Sequence, residues 1–356
     1  MATEAYKQKL SSLIESMIKE GASDLHVSEN RKPTVRVSGF LVPLVKESEF
    51  TKESTLGILK EMLSKENYEL FEKEREVDFS YDYAGKVRFR GNAFLQQGSV
   101  SIALRLIPNV IKSVAELNLP PLLETFTQRQ QGFFLVVGPI GHGKTTTLAA
   151  MIELINLSRP EHILTIEDPI EYVYEQKQSI IDQREVRVDT PDFQDALSGM
   201  FRQDVDVLLI GEMRDPETIS AAVTAAETGH LVFSTLHTNN ASQTVDRILD
   251  SFPPSQQSQI RVQLASSLSG IFSQRLIPRI SGGLIPSYEL LIANNAVSNL
   301  IREGRTHEID TVIETGLDQG MISLNRSLTD LVRAGEITAE NARLYSQSPK
   351  TLDRMI

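Results

Sequence analysis

Residues 138–145, Gly138-Pro139-Ile140-Gly141-His142-Gly143-Lys144-Thr145, have the spacing G-x-x-x-x-G-K-[ST]. Glycines at these positions let backbone N–H groups turn inward around a phosphate, and a helix N-terminus adds partial positive charge. Lys144 has the reach for β- and γ-phosphates, and the Thr145 hydroxyl can ligate Mg²⁺. Thr146 continues the same turn. The preceding run, Phe133 to Val137, is short, apolar and β-prone, so it reads as a buried strand. Strong helix formers follow, from Thr146 to Ile155. Strand, glycine loop and helix together form the context that nucleotide binding requires.

Further strand patterns run into acids. His162-Ile163-Leu164-Thr165-Ile166 ends at Glu167-Asp168-Pro169-Ile170-Glu171. Hydrolysis of ATP needs a group to orient and deprotonate water, and an acid of this box can supply it. Val205 to Ile210 ends at Gly211-Glu212, so Glu212 is the acid placed to serve Mg²⁺ through a bound water. A strand over 230–235 is flanked by His230 and His237, which reads as a polar sensor of the γ-phosphate. Zinc is disfavoured there, because no third ligand stands nearby at metal spacing. Arg88, Arg90 and Arg105 lie on strands of the amino-terminal region. Arg90 and Arg105 are candidates to reach a neighbouring subunit's nucleotide, against the alternative of surface arginines on a twisted sheet.

The elements that carry these residues fall into two parts. Residues 1–107 read as an α+β domain. Leu10, Leu13, Ile14, Met17 and Ile18 give an amphipathic helix that packs on its own domain, not a signal peptide. A strand follows over 33–39, stopped at Ser38-Gly39; then a helix over 52–74 and strands over 77–83, 87–95 and 100–107. Pro108 and Pro120-Pro121 bracket a linker, 108–121. Strands over 133–137, 162–166, 205–210 and 230–235 alternate with helices in a core spanning 122–289, the pattern of a doubly wound sheet. From 290 to 356 the chain reads as mostly helical, with Leu324, Leu328, Leu331 and Val332 as a packing stripe.

Composition narrows the class. The chain has 356 residues and no cysteine, which excludes disulfides and Cys-ligated metals and fits a reducing compartment. A formal net charge of −11 argues against broad nucleic-acid binding. No apolar run approaches the roughly 20 residues of a membrane span, so no membrane insertion is expected.

The motifs occur together and in one order: Gly-Ala-Ser-Asp-Leu-His at 21–26, Arg-Phe-Arg at 88–90, the glycine loop, Ile-Glu-Asp-Pro-Ile-Glu at 166–171, Gly-Glu-Met-Arg-Asp at 211–215 and Gly-His-Leu-Val-Phe-Ser-Thr-Leu-His-Thr at 229–238. The chain thereby resembles the retraction ATPases of type IV pili, the PilT family of secretion-type ATPases. Ala296 to Glu303 resembles the carboxyl-terminal segment of retraction members. The resemblance implies a PAS-like amino-terminal domain, a RecA-like phosphate-loop ATPase domain and a homo-hexamer. It implies nucleotide between the domains of one subunit, with arginines from a neighbour. By the same resemblance Lys144 and Thr145 take the phosphate and Mg²⁺ positions. Glu171 takes that of the catalytic glutamate, Glu212 the Mg²⁺-side acid, His230 and His237 the paired histidines, and Arg90 and Arg105 the fingers. Ile140, His142, Ser234 and Ser298 stand where the family usually has Thr, Ser, Gly and Arg.

The implied activity is ATP hydrolysis that drives pilus disassembly and twitching motility. The motor would sit in the cytoplasm at the inner face of the inner membrane, acting on a membrane platform protein and beside a possible paralogous ATPase. The rivals are a pilus-extension or type II secretion ATPase, a catalytically weak retraction paralogue and a DNA-translocating motor. The first usually carries a longer amino terminus and a four-cysteine zinc element, and the last a basic pore.

Overall fold

A computed structural model describes residues 2–37, 39–85, 87–107 and 110–356. The Ser38 strand stop and the Pro108 linker signal lie outside the described residues. The chain folds as two units, Met1–Val110 and Ile111–Ile356.

The first unit runs α1 (Ala2–Lys19), β1 (Asp24–Ser28), β2 (Thr34–Val37), β3 (Phe40–Pro43), α2 (Lys52–Met62), α3 (Lys65–Glu74), β4 (Glu76–Tyr83), β5 (Val87–Gln96) and β6 (Ser99–Ile107). Its antiparallel sheet has the order β3-β2-β1-β6-β5-β4. Leu10, Leu13, Ile14 and Met17 of α1 are buried, as the helical spacing requires, and pack with Leu25, Val27, Phe89 and Leu104 on one face of the sheet. The helix expected over 52–74 is two helices. Leu63 leaves the helical conformation, and the Ser64 side chain accepts from the Asn67 backbone N–H to start the second.

The second unit runs α4 (Leu123–Thr127), β7 (Gly132–Val137), α5 (Lys144–Ser158), β8 (His162–Glu167), β9 (Ile180–Glu185), α6 (Phe193–Met200), β10 (Val207–Ile210), α7 (Pro216–Glu227) and β11 (Leu231–Leu236). It continues through α8 (Ala241–Asp250), α9 (Pro254–Ser267), β12 (Leu268–Pro278), β13 (Leu284–Ile292), α10 (Asn295–Glu303), α11 (Ile309–Thr315), α12 (Leu324–Arg333), α13 (Ala339–Tyr345) and α14 (Pro349–Leu352). The sheet order is β13-β12-β7-β11-β10-β8-β9, with only β12–β13 antiparallel. β7, β10 and β11 are buried along their whole length, which explains continuous apolar runs where a one-sided sheet would alternate.

Two boundaries differ from the sequence expectation. From Ile111 onward the supposed linker belongs to the second unit: Val114 and Leu119 are buried against Phe126 and Phe134. No break falls at 289–290 either. β13 runs on to Ile292, and Val297, Ile301, Ile309 and Ile313 join the core under the sheet. Strands β9, β12 and β13 are additions to those read from sequence.

Packing is tightest where β12 meets β7. A Cβ on Gly270 would lie 2.9 Å from the Leu291 carbonyl oxygen, 2.9 Å from the Phe126 ring and 3.0 Å from the Phe134 ring. Gly270→Ala is therefore expected to destabilise the protein by about 1–3 kcal/mol, as overpacking does. Chemical denaturation reads it; unchanged stability would contradict this packing.

Candidate nucleotide site and arginine face

The glycine loop joins β7 to α5 at the carboxyl edge of the parallel strands, where open α/β sheets bind ligands. Gly138, Gly141 and Gly143 have φ of 146°, 79° and 80°, conformations that favour glycine. Gly141 has open space on its Cβ side, while Gly138 and Gly143 back onto β12. The result is a concave cradle.

Lys144 opens α5 and is only 7% exposed. Its Nζ donates to the carbonyls of Gly138 and Pro139 at 2.9 and 3.0 Å and meets His237 Nδ1 at 3.2 Å. Burial pulls its pKa down to about 8, against the opposing pull of the Glu212 and Glu171 carboxylates. Because Lys144 only donates, His237 Nδ1 accepts and Nε2 carries the proton. That Nε2 lies 3.4 Å from Glu212 Oε2, and Arg214 holds the other oxygen of Glu212. Lysine, imidazole and carboxylate thus form one polar chain across the ends of β7, β11 and β10.

The acidic box divides into a buried and an exposed part. Glu167 is 4% exposed. Its carboxyl accepts from the Thr165 hydroxyl at 2.7 Å, from Gln183 Nε2 at 3.4 Å and from the Glu171 backbone N–H. Burial pushes its pKa up to about 7. Glu171 lies on the exposed loop after β8 and influences Lys144 electrostatically. Glu167 therefore ties down the loop that presents Glu171 and is not itself open to a ligand. Tyr172, the next residue, meets the Thr146 hydroxyl at 2.9 Å and links this loop to the first turn of α5.

The two histidines are not brought together. His230 precedes β11 and His237 follows it, so the extended strand separates them by about 23 Å at ~3.3 Å per residue. His230 faces the amino-terminal edge, where its Nδ1 donates to the Ala225 carbonyl at 2.9 Å and its ring meets Phe201 edge-on. Within one chain it cannot join His237 on a phosphate. The His142 imidazole is engaged by β12: its Nδ1 accepts from the Leu276 N–H at 2.9 Å. Ile140 is 83% exposed.

The residues fit Mg²⁺. Thr145 stands next to Lys144 in the first turn of α5, and Glu212 follows β10 at the same edge of the sheet. Mg²⁺ is ordinarily held by one or two protein oxygens together with phosphates and waters, which Thr145 and Glu212 match.

In the first unit, Arg90 and Arg105 are direct cross-strand partners on the sheet face opposite the helices. Arg105 Nε donates to Asp24 Oδ1 at 2.9 Å. Burial opposes ionisation of Asp24, but the Ser23 hydroxyl and the Arg105 guanidinium hold its pKa below the ordinary value. Asp24 thus grips Arg105 by Nε and leaves the tip of the guanidinium to project. Asp24 lies within the Gly-Ala-Ser-Asp-Leu-His motif, but sequence reasoning missed its role. It also missed Tyr172, Gln274 and Arg275, whose partners are brought close only by the fold.

A parallel sheet with this cradle, an acid-tipped neighbouring strand and a buried loop lysine defines a RecA-like phosphate-loop nucleotide-binding unit. The chain belongs to the Type II/IV secretion system protein family, whose model matches residues 2–304. Within that family it groups with the PilT proteins. It is 41% identical over 341 residues to the type IV pilus retraction ATPase PilT of Pseudomonas aeruginosa, covering 96% of this chain and 99% of that one. It is 44% identical over 321 residues to the twitching motility protein of Neisseria gonorrhoeae, covering 90% and 86%. The crystal structure of the pilus retraction motor PilT with bound ADP superposes with a TM-score of 0.90 at 44% identity, over 96% of this chain and 98% of that one.

The Glu167 carboxyl gives a pH signature. Its pKa is about 7 when folded and 4.5 when exposed, so the folded state holds the extra proton between those values. Its contribution to stability is full below pH 4.5 and is lost as pH rises through 7. Glu167→Gln, which mimics the neutral acid, is expected to be more stable than the parent above pH 7, with the gap closing towards pH 4.5. Denaturation midpoints across that range check it; a constant gap would contradict the assignment.

Proposed function

We propose that the protein is a Mg²⁺-dependent ATPase that works as a homo-hexameric ring and drives type IV pilus retraction. Its place of action is the cytoplasmic face of the inner membrane, against a membrane platform protein and with a paralogous ATPase as a possible companion. The observation that carries the ATPase reading is the Lys144–His237–Glu212 chain at the phosphate cradle, with Glu171 on the neighbouring loop. The likeness to PilT over nearly the whole chain supports the retraction role.

In this reading Lys144 exchanges the carbonyls of Gly138 and Pro139 for phosphate oxygens. Once Lys144 leaves its Nδ1, His237 donates to a γ-phosphate oxygen through its one N–H, at Nε2, which then gives up its contact with Glu212. Glu171 orients water and takes its proton as the water oxygen bonds to the γ-phosphorus and the bond to the bridging oxygen breaks. Mg²⁺, held by Thr145 and through water by Glu212, would screen the phosphate charge. Lys144 and an arginine from a neighbour offset the charge on the transferred group. No covalent enzyme intermediate forms.

Two measurements test the assignment of roles. Lys144→Ala is expected to abolish phosphate release with an unchanged circular dichroism spectrum. Glu171→Gln is expected to bind ADP yet turn over at least ~10²-fold more slowly, the usual scale for a lost general base. Near-normal turnover in either variant would sink the role given to it. A parent protein that binds ADP but hydrolyses ATP barely above background would instead identify the weak retraction paralogue.

The arginines are tested by mixing. Arg90→Ala/Arg105→Ala protein and Lys144→Ala protein should each be inactive alone. Co-assembled, they should regain activity, because some interfaces then pair an intact loop with intact arginines. Full activity of the double arginine variant alone, or no recovery in verified mixed rings, would remove the trans assignment.

A further inference from the structure

The end of β12 runs beside the phosphate loop and carries two buried polar side chains that the chemistry above leaves unused. Gln274 is 3% exposed and Arg275 6%. The Gln274 amide spans loop and helix. Its Nε2 donates to the His142 carbonyl at 2.9 Å, and its Oε1 accepts from the Thr147 hydroxyl at 2.6 Å. The carbonyl can only accept, so the amide has one workable orientation. The loop is moulded on this residue. A Cβ on Gly138 would lie 2.4 Å from the Gln274 backbone oxygen, and one on Gly143 would lie 2.9 Å from its Nε2.

Arg275 reaches the opposite way. Its Nη1 donates to the Gln274 carbonyl at 2.9 Å, and its Nη2 to Asn239 O at 2.9 Å and Oδ1 at 3.1 Å. Asn239 stands two residues beyond His237. Its carbonyl also accepts from Ser273 Oγ at 2.9 Å and from Gln347 Nε2 at 2.8 Å. Arg275 lines a cleft of about 580 Å³ beside the loop, together with Pro139, His142, Asn239 and Tyr345 among others. Adjacent residues of one rigid strand thus hold the two loops that carry Lys144 and His237.

We propose that Gln274 and Arg275 are a positioning pair that fixes the phosphate loop and the loop after β11 in one register, so that Lys144 and His237 engage the same phosphate group. The inference rests on the nucleotide-hydrolysing reading above. It assigns different effects to the two residues. Gln274 shapes the cradle and governs nucleotide affinity. Arg275 sets the His237 loop and governs turnover.

Gln274→Glu keeps the size of the side chain but cannot donate to the His142 carbonyl, and it sets a carboxylate behind a polyphosphate cradle. ADP should bind about 10-fold or more weakly, the scale of a lost buried hydrogen bond. Arg275→Lys keeps the charge and loses the fork that spans Gln274 and Asn239. It should bind ADP within about 3-fold of the parent and lower kcat by about 10-fold, as misplacement does. ADP titration by calorimetry, steady-state phosphate release and melting temperatures on the full chain read the split. Parent-like ADP affinity in Gln274→Glu, parent-like kcat in Arg275→Lys, or both constants falling together with the melting temperature would overturn the proposal. Should either variant fail to fold, Thr147→Val and Asn239→Ala remove one partner of each residue. The first must weaken ADP and the second must slow turnover, and an unchanged value in either overturns it. A parent protein that binds no ADP would overturn the nucleotide reading as well, which separates the two failures.

Discussion

A lysine amine held in a nearly closed site, with two backbone carbonyls and an imidazole as its contacts, is the constraint around which the second unit is arranged. Burial lowers the Lys144 pKa to about 8, so the cost of keeping the charge there is already visible in the protonation equilibrium. Carbonyl oxygens carry only partial charge and satisfy the amine incompletely. Phosphate oxygens carry full charge and stabilise it better. The loop therefore favours an anion before any other residue acts. The neighbours of the loop suit that preference: its glycines hold the positive φ that a backbone wrapped around a phosphate uses, and the α5 N-terminus adds its partial charge.

The sheet topology supplies the remaining groups without long reaches. β7 lies between β12 and β11, and β11 neighbours β10, so the residues that follow these strands meet at one edge. His237 after β11, Glu212 after β10 and the loop after β7 are neighbours because their strands are. The same parallel arrangement carries His230 away. A residue before a strand and one after it occupy opposite edges, whatever their likeness in type. Ser234 shows how closely the strands are fixed: fully buried, it donates its hydroxyl to the Ile210 carbonyl at 2.8 Å, beside the β10 end that leads to Glu212.

Local pattern made much of this legible. The loop, the buried strands and the helix α1 are contiguous signals, and Lys144, Glu212 and His237 follow from the ends of strands. What sequence reasoning missed depends on pairs distant in the chain. Gln274 lies 127 residues from Thr147, its hydrogen-bond partner, and nothing in the local run 268–278 marks it. The partition of the acidic box was equally hidden. Glu167 and Glu171 are both acids beside one strand, and only the fold separates the first, buried with its pKa pushed up to about 7, from the second on an exposed loop. The supposed linker misled because prolines mark irregular backbone, not separation; Val114 and Leu119 are buried all the same.

Asp24 and Glu167 solve one problem in two ways. Each is a buried carboxyl, and each secures a group proposed to meet the nucleotide. Asp24 stays ionised because a guanidinium and a hydroxyl bond it, and it aims Arg105 by holding Nε alone. Glu167 has no cation beside it among the described residues, is pushed towards its neutral form by burial, and fixes the Glu171 loop by accepting a backbone N–H. A guanidinium needs a charged partner to be held against water, whereas a loop backbone needs only an acceptor. The chemistry of the group being positioned therefore decides which kind of buried carboxyl can position it.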